Sequence, residues 1–128
     1  MDARDLIGSW EQLGMEFRDQ AGNTLKKDTA VKGLIIYAPD GYMAVSIESP
    51  EARGAMGPFT SYTGRYEVSG NTVKHHISMS SNPKLVGTTQ VRIVELSGDR
   101  LNLKAERSLA GPPGSNSVIS WRRAKPAE

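Results

Sequence analysis

The side chains best suited to chemistry are spread over several short stretches of this sequence. A histidine, two tyrosines, a glutamine and two arginines come from alternating segments downstream of residue 60, and a glutamate comes from residue 16. Imidazole and phenol groups transfer protons, and guanidinium groups bind carboxylates or stabilise oxyanions. The candidate ligand-binding residues are Glu16, Tyr62, Tyr66, His75, Gln90, Arg92 and Arg107.

The motifs argue against metal and nucleotide chemistry. His75 and His76 are adjacent, so in a strand they project to opposite faces and cannot share a metal ion. The chain has no cysteine and lacks the His-x-His and His-Glu-x-x-His spacings. Gly-x-Ser-x-Gly, the P-loop and Gly-x-Gly-x-x-Gly are also missing, which disfavours a serine hydrolase of that type and nucleotide binding. We therefore expect no metal and no cofactor.

Composition and charge limit the class of protein. The 128 residues suit one domain spanning 1–128, and a net charge of +2 without a basic stripe disfavours nucleic acid. Asp2 and Asp5 lie where a signal peptide would carry basic residues. No stretch approaches the ~20 apolar residues of a membrane helix, and the lack of cysteine favours a reducing compartment. We expect a cytoplasmic protein, monomeric or homodimeric, that binds neither nucleic acid nor membrane.

A hairpin over residues 33–48 is the strongest local signal for the elements that position these side chains. Two apolar, β-branched runs flank Pro39-Asp40-Gly41, and Asp-Gly between such runs is typical of a two-residue type I′ turn. That turn puts Ile35 and Tyr37 on the face opposite to their neighbours. It pairs Ala38 with Met43, Ile36 with Val45 and Leu34 with Ile47.

Two further hairpins follow. Around the turn at Gly70-Asn71, pairing Val68 with Val73 sets Tyr66 opposite His75 on the apolar face. The other turn lies at Gly98-Asp99, with glycine first as a type II′ turn prefers. It predicts the pairs Leu96–Leu101, Val94–Leu103, Arg92–Ala105 and Gln90–Arg107.

The ends of the chain carry the remaining elements. Asp2 could cap one helical turn up to Ile7, and Trp10–Arg18 alternates as a strand with Gln12, Gly14 and Glu16 on the face of Trp10. The range 19–32 is predicted to be a long polar connection. A loop over 49–58 carries Met56, which could fold over an opening, and the last strand covers 117–123. About eight strands joined by short turns favour an antiparallel barrel or a sandwich.

An ordered set of residues resembles the bacterial and fungal lipocalin-like domain family. It comprises Gly8-Ser9-Trp10, the stretch from Gly33 to Met43, Tyr62–Tyr66, Val73–Ile77, Gln90–Arg92, Gly98–Leu103 and Trp121–Arg123. The resemblance implies an all-β fold, an eight-stranded antiparallel up-and-down barrel of calycin type that binds small hydrophobic molecules. Relatives often occur with secondary-metabolism genes, and some such barrels act as cofactor-independent cyclases or isomerases. It also implies that Trp10 closes the barrel floor under an arginine, either Arg123 or Arg122.

The interior predicted in this way is apolar at one end and polar at the other. That make-up suits a small-molecule pocket. A structural interpretation stands beside it, because Glu16 could simply neutralise Arg92 or Arg107, and His75 could be a core histidine bonded to Tyr66.

Three functions remain open at this point. The first is binding of a small, largely hydrophobic metabolite in the barrel. The second is a cyclase, isomerase or dehydratase in which His75 is the general acid/base, Tyr66 orients it and Arg92 stabilises an oxyanion. The third is an interaction module using the barrel exterior, which polar outward positions disfavour. Those positions are Lys74, His76, Asn102, Lys104 and Glu106.

Overall fold

One continuous antiparallel sheet forms the wall of the molecule. The computed structural model describes residues 1–50, 58–106 and 114–127, so the predicted flap residue Met56 and the candidate Arg107 lie outside the described residues. Within those ranges the chain forms one short helix, nine strands and one 3₁₀ turn. They are α1 (Ala3–Leu6), β1 (Gly8–Arg18), β2 (Thr24–Asp28), β3 (Lys32–Tyr37), β4 (Tyr42–Glu48), β5 (Phe59–Ser69), β6 (Thr72–Ser80), the 3₁₀ turn (Pro83–Leu85), β7 (Thr89–Ser97), β8 (Arg100–Ala105) and β9 (Asn116–Arg123).

The sheet closes on itself. Each strand from β3 to β9 pairs with the next, and β9 pairs with β1 along almost its whole length. On the other edge of β1, β3 pairs with the first half of the strand and β2 pairs with the second half. The ring therefore has eight positions, which confirms the predicted eight-stranded barrel with a short N-terminal helical turn and excludes a sandwich.

The polar stretch 19–32 is not the plain connection that its composition predicts. Asp19 Oδ1 accepts hydrogen bonds from the backbone N–H groups of Ala21 and Asn23, which closes a turn and leads into β2. Four of the five residues of β2 are exposed. The strand is held by its backbone ladder with β1 rather than by buried side chains, so hydrophobic periodicity could not reveal it.

The first hairpin pairs one residue away from the predicted register. Tyr37 lies opposite Met43 and Ile35 opposite Val45, around the three-residue loop Pro39-Asp40-Gly41. A type I′ turn at Asp40-Gly41 needs a positive φ at both residues, but Asp40 has a negative φ, so this turn type is excluded. Gly41, with φ +91°, is the residue in the left-handed region, and it follows a turn whose second residue is Pro39. In this register Ile35 and Tyr37 share the inward face with Val45 and Met43.

The second and third hairpins have the predicted registers near their turns. Tyr66 pairs with His75 and Val68 with Val73. In the third hairpin the pairs Leu96–Leu101 and Val94–Leu103 are present.

A bulge in β1 reverses the face that each residue presents. The register with β9 passes from Gln12–Trp121 to Gly14–Ser120, which leaves one extra residue on β1. Gln12 is buried before the bulge, and Met15 is buried after it. The prediction that Glu16 shares the face of Trp10 is therefore wrong, because strict alternation does not survive an inserted residue.

The barrel end beside α1 is closed by an aromatic ring under a guanidinium group. Arg123 lies 4.1 Å above the ring of Trp10, and its Nη1 and Nη2 atoms donate to the carbonyls of Ile7 and Asp5 at 2.9 and 3.1 Å. Trp10 Nε1 donates to the carbonyl of Leu6. Gly8 has φ +125°, and a Cβ there would lie 2.8 Å from Arg123 Nη1, which explains glycine at the start of Gly-Ser-Trp. Of the two arginines proposed for this contact, Arg123 makes it.

We predict that Arg123→Ala lowers the free energy of unfolding by about 2–3 kcal/mol, because it removes two hydrogen bonds and a cation–π contact together. Urea denaturation followed by tryptophan fluorescence measures the change. Arg122→Ala is the matched control. Its side chain is half exposed and 3.4 Å from Glu11, so its loss should cost no more than about 0.5 kcal/mol. Equal effects of the two substitutions would contradict this account of the closed end.

Candidate functional site

The barrel interior is mostly apolar. The main cluster of buried residues comprises Leu6, Trp10, Ile35, Tyr37, Met43, Val45, Tyr62, Tyr66, Val73, Ile77, Leu85, Val94, Leu101, Leu103 and Trp121. A smaller cluster of Met15, Phe17 and Val31 follows the bulge in β1, and Ile47 and Ile119 pack against both clusters. Polar groups that point into this interior are out of water and need partners inside it.

His75 is the polar centre of the interior. It is 1% exposed, and its two ring nitrogens each contact a tyrosine hydroxyl at 2.7 Å, Nε2 that of Tyr37 and Nδ1 that of Tyr62. The three side chains come from β6, β3 and β5, so barrel curvature and not chain proximity brings them together. We call Tyr37, Tyr62 and His75 the tyrosine–histidine cluster.

The protonation of the cluster follows from its environment. Burial, followed by the charge of Arg92 and a smaller effect of His76, lowers the pKa of His75 to about 3. Burial also raises the pKa of Tyr37 and that of Tyr62, although the charge of Arg92 works in the opposite sense on both. At neutral pH all three groups are therefore uncharged.

A count of hydrogens shows what the cluster can offer a ligand. A neutral imidazole donates from one nitrogen and accepts at the other. One tyrosine therefore donates its hydroxyl proton to His75, and the other accepts the imidazole N–H. The imidazole N–H and the two phenolic O–H groups supply three hydrogens, and the two hydrogen bonds to His75 use two of them. One phenolic proton is therefore left for another acceptor.

Tyr66 does not orient His75, contrary to the prediction. The two residues are cross-strand partners, but the Tyr66 hydroxyl donates to the carbonyl of Ala38 at 2.7 Å. Its ring meets that of Tyr37 edge to face, with centroids 4.8 Å apart. Tyr66 thus supports the cluster through Tyr37, and the hydrogen bond expected from it is made by Tyr37 and Tyr62.

Arg92 and Gln90 lie beside the cluster on β7. Gln90 is the cross-strand partner of His75, and Arg92 Nη2 lies 3.4 Å from Gln90 Oε1 while Nη1 donates to the carbonyl of Val91. Arg92 is half-buried and close enough to lower the pKa of His75. The structure thus gathers Tyr62, His75, Gln90 and Arg92, as the sequence predicted, and adds Tyr37.

Glu16 and His76 belong to the outer surface. The carboxylate of Glu16 accepts hydrogen bonds from Thr24 and Arg18, which lower its pKa, so it does not neutralise Arg92. His76 contacts Glu67 and Thr89 at 2.6 and 2.9 Å on the polar face. Neither side chain shares the interior with His75.

The site residues predicted from the sequence omit Tyr37, Gln12 and Trp121, although Gln12 was correctly placed on the face of Trp10. The predicted hairpin register separated Tyr37 from Met43 and Val45, and treating Pro39-Asp40-Gly41 as a three-residue loop would have placed the three side chains on one face. Gln12 and Trp121 are buried, and within the described ranges Gln12 Nε2, Gln12 Oε1 and Trp121 Nε1 have no hydrogen-bond partner. No sequence signal distinguishes such unpaired atoms, because pairing depends on side-chain positions in the closed barrel.

Two negative findings concern metal binding and membrane insertion. In the ranges 1–50, 58–106 and 114–127, no three His, Cys, Asp or Glu side chains are grouped so that they could hold a metal ion. Over the same part of the chain, none of the helices has the length and apolar character needed to cross a membrane.

We predict that the buried imidazole makes stability fall on acidification. Because the folded pKa of His75 is about 3 and that of an unfolded histidine about 6.5, the unfolded chain binds more protons between these values. The contribution of the neutral, buried His75 to the free energy of unfolding is therefore complete above pH ~6.5, and below that pH it falls by up to about 1.4 kcal/mol per pH unit. His75→Gln removes it, so the stability difference between wild type and variant should shrink from pH 6.5 to 4.5.

Urea denaturation at a series of pH values measures this difference. His76→Gln is the control and should retain the wild-type pH profile, since the buried imidazole is still present. Parallel profiles for the wild type and His75→Gln would contradict a neutral, desolvated His75.

Comparisons with known proteins agree with this architecture. The lipocalin-like domain family matches residues 52–124. The 4'-hydroxy-3'-methoxypropiophenone carrier protein ppsC of Aspergillus oryzae is 32% identical over 93 residues, which cover 66% of this chain and 84% of that protein.

Solved structures show the same fold. A lipocalin-like protein from Bacteroides uniformis has a TM-score of 0.55 at 17% identity, with 94% of this chain and 99% of that chain covered. An uncharacterized protein from Bacteroides eggerthii has a TM-score of 0.51 at 11% identity, with 93% and 99% covered. At these identities the likeness concerns the fold alone. Together with the closed eight-stranded barrel, the match over residues 52–124 and the related carrier show that the chain belongs to the lipocalin-like domain family.

Proposed function

We propose that this protein binds a small, largely apolar molecule inside the barrel and holds it by a hydrogen-bond acceptor. The observation that carries the proposal is the tyrosine–histidine cluster, a neutral polar group set among apolar side chains. An apolar site with a few well-placed polar groups is the usual make-up of a small-molecule site. The apolar walls supply affinity, and the cluster supplies orientation.

The cluster favours an acceptor such as a ketone oxygen. One phenolic proton of Tyr37 or Tyr62 remains after the two bonds to His75 are made, and a carbonyl is the simplest group to receive it. The positive charge of Arg92, which lies near His75, also attracts the partially negative oxygen of a carbonyl group. A ligand carboxylate would have to be desolvated as well, so a neutral carbonyl costs less to bring in.

The related Aspergillus carrier suggests a chemical class for the ligand. Its name specifies 4'-hydroxy-3'-methoxypropiophenone, an aromatic ketone with a phenolic hydroxyl. We infer that this chain takes a molecule of that class, and we call the named compound the phenolic ketone.

An enzymatic role receives less support. With a pKa of about 3, His75 carries a proton in only about one molecule in ten thousand at neutral pH. The imidazolium needed for general acid catalysis is therefore scarce, and so weakly basic an imidazole is a poor general base. Docking of a partner on the barrel exterior is less favoured, because Lys74 on the outward face of β6 and Glu106 just beyond the end of β8 are exposed charges. Binding is the function that the cluster serves best.

Calorimetric titration with the phenolic ketone tests the proposal. We expect saturable one-to-one binding by the wild type. Tyr37→Phe and Tyr62→Phe each keep the ring and remove one hydroxyl of the cluster. The variant that loses the hydroxyl with the free proton should bind about tenfold more weakly, the usual cost of one hydrogen bond.

Tyr42→Phe is the matched control, since Tyr42 is 58% exposed and should bind as the wild type does. Circular dichroism checks that each variant is folded. Absence of binding to the wild type, or equal affinity of all three variants, would refute binding through the cluster.

A further inference from the structure

Three buried polar atoms inside the barrel have no hydrogen-bond partner among the residues that the structure describes. They are Nε2 and Oε1 of Gln12 and Nε1 of Trp121, in residues that are 9% and 1% exposed. The other tryptophan is different, because Trp10 Nε1 donates to the carbonyl of Leu6 at 3.0 Å. An unpaired buried polar group is costly, so native proteins usually satisfy it with a side chain, a water or a ligand.

The two residues form one local unit. Gln12 and Trp121 are direct cross-strand partners on β1 and β9, which brings their Cβ atoms to about 5 Å. On the other edge of β1, the register with β3 ends at the pair Glu11–Leu34. Its continuation by one residue sets Gly33 opposite Gln12. A Cβ on Gly33 would collide with the Oε1 and Cβ atoms of Gln12. The missing side chain of Gly33 therefore makes room for the amide.

The β1 bulge also contributes to this arrangement. Gln12 is the last inward residue before the extra residue, and the next inward position is Met15. Without the bulge, strict alternation after Gln12 would turn Gly14 and then the charged side chain of Glu16 into the barrel. The bulge thus leaves one uncharged amide on this wall.

We propose that Gln12 and Trp121 form a second polar subsite of the barrel, which binds a hydroxyl group of the ligand. The atoms match that group. The amide oxygen accepts one hydrogen bond, whereas the amide nitrogen and the indole N–H donate. A hydroxyl donates once and accepts up to twice, so it satisfies all three atoms, whereas a carbonyl would leave the amide oxygen unpaired.

This inference rests on the proposed function and adds a second contact to it. Strands β1 and β6 are four positions apart in either direction around the ring of eight, so Gln12 and His75 stand on opposite walls. The tyrosine–histidine cluster offers a proton to an acceptor, and the Gln12–Trp121 subsite takes a hydroxyl. A molecule with a ketone at one end and a hydroxyl at the other engages both walls.

A matched pair of ligands and a matched pair of proteins test the subsite. The ligands are the phenolic ketone and 3'-methoxypropiophenone, which lacks only the hydroxyl. The proteins are the wild type and Gln12→Met, in which an unbranched apolar side chain replaces the amide. We expect the missing hydroxyl to cost the wild type about tenfold in affinity and to cost the variant clearly less, because only the Trp121 N–H remains there to contact the hydroxyl. Equal discrimination by the two proteins overturns the subsite.

The wild type alone provides a second readout, which does not depend on the folding of a variant. Its two indole N–H signals are resolved by ¹⁵N-correlated NMR and assigned with Trp121→Phe. On addition of the phenolic ketone, the Trp121 signal should move downfield as its N–H gains an acceptor, while that of Trp10 stays in place because it is already bonded. A Trp121 signal that responds equally to both ligands overturns the proposal.

The two proposals fail in distinguishable ways. If the wild type binds neither ligand, the proposed function fails and the subsite fails with it. If the wild type binds both with equal affinity, and either Tyr37→Phe or Tyr62→Phe weakens both, binding through the tyrosine–histidine cluster stands and only the subsite is overturned.

Discussion

Closure of the sheet by the β1–β9 ladder is the constraint on which the rest of the structure depends. Once that seam forms, most inward side chains of the ring are removed from water. Apolar side chains gain from this burial, but polar ones must find partners within the ring. The pairing of His75 with two tyrosines meets this demand, whereas Gln12 and Trp121 leave it unmet. The polar chemistry of the interior is a consequence of closure.

The bulge in β1 decides which polar groups face inward. By inserting one residue after Gln12, it places a neutral amide inside and turns Glu16 outward, where Arg18 and Thr24 bind it. A buried carboxylate there would need a paired cation to offset its desolvation. The buried carboxylate of Asp28, on β2, accepts hydrogen bonds from Ser49 and from the backbone N–H of Ala30. Among the described residues, the polar side chains of Gln12 and the tyrosine–histidine cluster are uncharged, and the half-buried Arg92 lies beside the cluster. Such an interior suits a neutral guest.

The tyrosine–histidine cluster shows how burial sets chemical character. An exposed histidine titrates near neutral pH and serves proton transfer. Enclosed and held by Tyr37 and Tyr62, His75 stays neutral and acts as a fixed dipole. Its two hydrogen bonds lock the two phenols in place, and Tyr66 supports one of them from its ring edge. Rigid, uncharged donors of this kind support the proposed binding of a ligand inside the barrel.

The sequence alone determined the strand alternation, two hairpin registers, the contact of Trp10 with an arginine and the family, because these depend on neighbours within a hairpin or on a characteristic motif. It predicted Tyr62, His75, Gln90 and Arg92 near one another because period-two patterning sorts faces reliably over short, regular strands. Tertiary structure decided the rest. A one-residue slip at Pro39–Gly41 placed Tyr37 on the face of Met43 and Val45. The bulge in β1 turned Glu16 away from the interior. The partners of His75, and the lack of partners at Gln12 and Trp121, followed only once curvature brought distant strands face to face.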